Sequence, residues 1–135
     1  KTVSPENSAV NAVSKEVVVY TEQDRLKAIP EEVQDVYHSL REKILDLGNV
    51  GIKANKLYVA FTVNDSNFTD IALQKQGLKL WINLPKGELE DPYKFARDVS
   101  NIGHHGNGVY ELAIKNADKL DYILTLIKQS YKQKA

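Results

Sequence analysis

Two adjacent histidines between glycines, GHHGNG at residues 103–108, are the first residues of this chain whose types suggest chemistry. Imidazoles ligate metals and move protons near neutral pH. Glycine-rich loops cradle phosphates when they open a helix. The spacing supports neither. Side chains of neighbouring residues in extended backbone point to opposite faces, so His104 and His105 are a poor pair for one ion. The chain has no cysteine and no HExxH spacing, and only His38 remains as a further imidazole. Gly103, Gly106 and Gly108 do not match GxGxxG. The expected order around them is helix, loop, strand, the reverse of a phosphate cradle. The stretch therefore reads as a glycine-shaped connection presenting His104 and Asn107, with no metal and no cofactor.

Carboxylates come next. Glu88, Glu90 and Asp91 share one loop and read as solvated surface. Arg97 and Asp98 fall on an expected helix just before the histidines, where Asp98 could orient His104. Glu111 follows on an expected strand. No serine or cysteine stands beside them in a nucleophile motif, so no catalytic residue is assigned.

The remaining candidates are aromatic and basic. In LKLWINL, Leu78, Leu80, Ile82 and Leu84 alternate with Lys79, Trp81 and Asn83, and Tyr58 falls on the same non-core face. An open aromatic and basic sheet face stacks unpaired bases in several folds. The plainer alternative is that the first or last helix covers this face and makes Trp81 second-layer core. On the first reading Tyr58, Lys79, Trp81, Asn83, Arg97, His104 and Asn107 are binding residues for DNA or RNA.

These residues need elements to position them. Thr21 suits the cap of a short helix through TEQDRLKAI. Pro30 starts a longer one, in which Val33, Val36, Tyr37, Leu40, Ile44 and Leu47 form one apolar stripe before Gly48. KLYVAFTV, FTDIALQ and LKLWINL alternate as a three-stranded meander joined by NDSN and KQG. Asp91-Pro92 predicts a helix through YKFARDVS, then Val109–Ile114 a strand. From about Asn116 a last helix carries Leu120, Ile123, Leu124, Ile127 and Tyr131 at helical spacing. The expectation is an α+β domain in the order α-α-β-β-β-α-β-α. It has an antiparallel sheet of about four strands, with three to four helices packed on it.

Composition sets the frame. The 135 residues suit one domain, and 42% hydrophobic with 27% charged residues is ordinary for a globular chain. Residues 1–16 are small and polar and read as a linker or tail, which leaves residues 17–135 as the domain. The sequence starts at Lys1 and contains no methionine, which suggests the C-terminal domain of a longer protein with an N-terminal domain as its partner. No stretch has the length of a transmembrane span, and the lack of cysteine fits the cytoplasm. The net charge is zero, with −3 in residues 1–50 and +3 in residues 51–135. That falls well short of a basic domain built for phosphate backbones.

The pieces KLYVAF, LKLWINLPKGE and ARDVS…GHxGNGxYE resemble an uncharacterised bacterial and archaeal domain found at the C-terminus of larger proteins. Relatives of that domain have been labelled "predicted transport protein". The resemblance runs from about Val17 to the end, and in that family an aromatic is usual where His105 stands. Members resemble domains appended to restriction-endonuclease-like or ParB-like modules. More distantly, HHGNGVYEL…LIKQSY is similar to the MmcQ/YjbR-like proteins, whose fold has been compared to DNA-binding modules. The resemblance implies a noncatalytic accessory domain that recognises nucleic acid or a partner, or a purely structural or oligomerising one. It carries over no catalytic residues.

Overall fold

A computed structural model describes residues 19–102 and 108–135. The expected tail at residues 1–16 lies outside the described residues. Thr21 opens α1 (Glu22–Leu26) with a capping box, its hydroxyl accepting from the Asp24 N–H while the Asp24 carboxylate accepts from the Thr21 N–H. Pro30 precedes α2 (Glu31–Leu45), which buries Val33, Tyr37, Leu40 and Ile44 at helical spacing. One carboxylate ties the two helices together. Arg41 donates to Glu22 through Nε at 2.7 Å and Nη2 at 3.1 Å, and the buried Tyr37 hydroxyl donates to the same group.

Six strands follow: β1 (Gly51–Ala54), β2 (Val59–Val63), β3 (Ser66–Gln74), β4 (Gly77–Ile82), β5 (Arg97–Asp98) and β6 (Tyr110–Ile114). They form one sheet in the order β1-β2-β3-β4-β6-β5, every pair antiparallel. The chain ends on α3 (Leu120–Lys134). Asn64 and Asp65 turn β2 into β3 with φ of 51° and 64°, the left-handed pair that a two-residue hairpin turn requires. A register shift after Phe61 lets Phe68 and Thr69 both be buried on consecutive positions of β3.

One core cluster joins Val33, Tyr37, Leu40 and Ile44 of α2 with Leu120, Ile123, Leu126 and Ile127 of α3. On the sheet side it takes Val59, Phe61, Ile71, Leu80, Ile82 and Leu112. The opposite sheet face has a separate small cluster of Ala72, Trp81 and Val99, with Tyr58 against it. No helix residue belongs to that second cluster among the described residues. The fold is thus α+β with an antiparallel sheet, as the alternation of the strands predicts.

Three details differ from expectation. The sheet has six strands rather than about four, because β1 adds to one edge, beside β2, and the two-residue β5 to the other, beside β6. Three helices are present among the described residues, so the order is two helices, six strands, one helix. No helix forms after Asp91. Its carboxylate instead accepts from the Ala96 N–H at 2.8 Å and from the Tyr122 hydroxyl, and Lys94 takes a φ of 54° that stops a helix. Residues 85–96 form a strap over α3, fastened where Gln129 Oε1 accepts from the Glu90 N–H and Gln129 Nε2 donates to Glu90 O, both at 2.8 Å. No helix of the described residues is long and apolar enough to cross a membrane.

Candidate functional site

Paired positions in a sheet project from the same face. The register Ala60–Asp70–Trp81–Glu111–Arg97 therefore draws one row across β2, β3, β4, β6 and β5 on the face away from the helices. Lys79 stands beside this row, opposite Ala72 and Ala113. Trp81 lies at its centre and is only 2% exposed. The indole packs edge-on to Tyr58, with ring centroids 6.3 Å apart, and among Ala72 and Val99. Its N–H donates to Glu111 Oε1 at 3.2 Å, the partner a buried indole requires.

Glu111 is the hub of the row. Its Oε2 lies 3.3 Å from Arg97 Nη2 and 3.8 Å from Lys79 Nζ. The Glu111 side chain is 11% exposed, against 37% for Lys79 and 64% for Arg97, so the carboxylate is covered while both cations reach solvent. Lys86 approaches Asp98 at 4.0 Å next along the same edge. Hydrogen bonds from Ser100 and the nearby Lys86 charge hold the Asp98 carboxyl below its ordinary range.

The structure gathers Tyr58, Lys79, Trp81 and Arg97 on this face. It also closes the open aromatic surface that one reading required, because Val99 and Tyr58 cover the indole; no helix among the described residues is used for the purpose. Asn83 lies just past β4 and acts as a joint. Its side chain donates to Asn67 O at 2.9 Å, while its backbone carbonyl accepts from Ser130 Oγ at 2.9 Å and Lys134 Nζ at 2.6 Å of α3. Arg97 and Asp98 stand on a strand and not on the helix expected for them. His104 and Asn107 lie outside the described residues, as does the histidine side of the Asp98–His104 contact. At the near end of that connection, a Cβ on Gly108 would overlap the Ile82 carbonyl and approach Asn83 Oδ1, so only glycine fits.

Sequence reasoning passed over Asp70, which is fully buried one position across from Trp81, with Asn67 Nδ2 3.4 Å from its carboxylate. The signal was present: an aspartate in mid-strand, where that residue type is depleted, and on the Trp81 face. Glu111 was visible only as a carboxylate, since its partners lie 14 to 32 positions away in the chain. No group of three or more histidine, aspartate or glutamate side chains among the described residues could hold a metal. What the arrangement can do is present two cations, held in place by one carboxylate, along the edge of a sheet face.

Comparison with known proteins adds family but not activity. The family described as Domain of unknown function (DUF5655) matches residues 21–134. A protein of Haemophilus influenzae, named "Uncharacterized protein", is 44% identical over 133 residues, covering 98% of this chain and 44% of its own length. The chain thus spans less than half of that relative. No solved structure matches.

Proposed function

This chain belongs to the DUF5655 family, and from that premise we propose that it is a noncatalytic accessory domain of a larger cytoplasmic protein that binds single-stranded DNA or RNA. The observation that carries the reading is the pair Lys79 and Arg97, anchored on Glu111 and reaching solvent from a sheet face that no described helix covers. Two cations share one carboxylate, so the patch keeps positive charge for a phosphate. Base stacking falls to Tyr58, since Trp81 supports the face from beneath. The greater length of the Haemophilus relative supports an accessory role. The resemblance to domains appended to restriction-endonuclease-like or ParB-like modules supports a DNA-processing setting.

A second reading, a structural or oligomerising domain, is favoured by one observation. Glu111 accounts for Trp81, Lys79 and Arg97 together, so the row is complete without a ligand. One titration separates the two. We expect fluorescence anisotropy with a labelled single-stranded oligonucleotide at low salt to show binding that Lys79→Glu with Arg97→Glu weakens at least about tenfold. Glu111→Gln keeps an acceptor for the indole while freeing both cations, and should tighten it. Absence of binding, or equal affinity for all three proteins, rejects the nucleic-acid reading and leaves the structural one.

A further inference from the structure

A cleft of about 370 Å³ opens at the far end of β6, between the strap and the start of α3. That volume is within the range of small-ligand sites. Its lining is mixed: Ile114 and Ile123 are buried beneath, Phe95 of the strap, 39% exposed, stands at one side, and Asn116 adds a polar group. Lys115 and Lys119 stand at its mouth. Among the described residues, neither has a carboxylate within salt-bridge distance, and the nearby Asp121 is engaged by Lys43 at 3.0 Å.

The cleft also contains an open strand edge. The Val109 carbonyl accepts from the Val99 N–H on the β5 side, whereas the Ile114 carbonyl faces Gly77 of β4. By the two-residue period of a strand, Ala113 turns its N–H and C=O to the β5 side. There β5 has already ended, with Arg97 opposite Glu111 as its last pair in that direction. Phe95 would come next, but the strap turns aside where Ala96 donates to Asp91. Unpaired edge groups beside a slot with an apolar floor are what an extended peptide pairs with.

We propose that this cleft binds the carboxy-terminal end of an extended peptide. The last side chain, aromatic or aliphatic, enters between Phe95 and Ile123. The preceding amide pairs with the edge at Ala113, and the terminal carboxylate meets Lys115 and Lys119. Two unneutralised cations favour the carboxylate, and the open backbone edge favours a peptide over a simple organic acid. The site is remote in role from the Lys79 and Arg97 patch and stands independently of it.

Nitrogen–proton correlation spectra of the full chain test this, titrated with N-acetyl-Gly-Phe, with its C-terminal amide and with 3-phenylpropionate. Expected are saturable shifts at the Ala113, Lys115 and Lys119 amides with millimolar affinity for the acid. The amide should bind at least about tenfold more weakly, and 3-phenylpropionate more weakly than the peptide. Lys115→Glu with Lys119→Glu, both exposed positions, should abolish the shifts while the rest of the spectrum is unchanged. No saturable shift at these amides up to about 10 mM, or equal binding of acid and amide, overturns the proposal. Equal binding of 3-phenylpropionate removes the edge pairing and overturns the peptide assignment.

Discussion

Two carboxylates organise their neighbours, Glu22 two of them and Glu111 three, but their surroundings give them different consequences. Burial pushes the Glu22 carboxyl up, yet hydrogen bonds from Arg41 and Tyr37 outweigh it and hold the group below its ordinary range. Burial foremost, then the hydrogen bond to Glu22 and its charge, push the Tyr37 hydroxyl far above its usual value against the opposing Arg41. A lowered carboxylate stabilises the fold above its unfolded pKa of about 4.3, because the unfolded chain then binds more protons as the solution is acidified. That stability is lost as pH falls through the folded value. Urea midpoints measured from pH 7 to pH 3 should therefore fall, and the fall should be shallower in Glu22→Gln, which is also less stable at pH 7. Glu111 shows why such hubs are hard to see in a sequence. Nothing in VYELAI marks its carboxylate as the partner of Trp81, Lys79 and Arg97, because the pairing exists only once β4, β5 and β6 are in register. Lys79 and Trp81 themselves were legible, since strict alternation with four leucine and isoleucine positions places them on the other face.

Elements with a strong internal period were read correctly, and those defined by their neighbours were not. The apolar stripe of α2 and the alternation in β2 to β4 are properties of each segment alone. By contrast β1 has four residues of alternating partial exposure, and β5 is Arg-Asp, both exposed. Their pairing is set by the edge each one meets. The false helix after Asp91 had a sound opening signal, but the Asp91 carboxylate is spent on Tyr122 and Ala96. Two substitutions test the hairpins. Asp65 has a φ of 64°, so Asp65→Gly should raise stability by up to about 1 kcal/mol by removing left-handed strain. Gly77 has a φ of 153°, and a Cβ there would overlap the Ile114 carbonyl, so Gly77→Ala should cost about 2 kcal/mol or more in urea unfolding.

At the scale of the molecule, a single sheet separates two environments. One face is closed by α2 and α3 into the main core, and the other has Trp81, its covering residues and the charged row. The chain as a whole is neutral, with 18 basic and 18 acidic residues, so binding to a polyanion must come from local arrangement. Two cations, Lys79 and Arg97, border the row. With both on phosphates of a single strand, counterion release sets a logarithmic salt slope of about −1.4. The direct test is the dissociation constant of a single-stranded oligonucleotide measured by anisotropy from about 20 mM to about 200 mM salt. The account predicts binding at the lowest salt that weakens by about 25-fold across this range. No binding at the lowest salt, or an affinity that salt leaves unchanged, contradicts it.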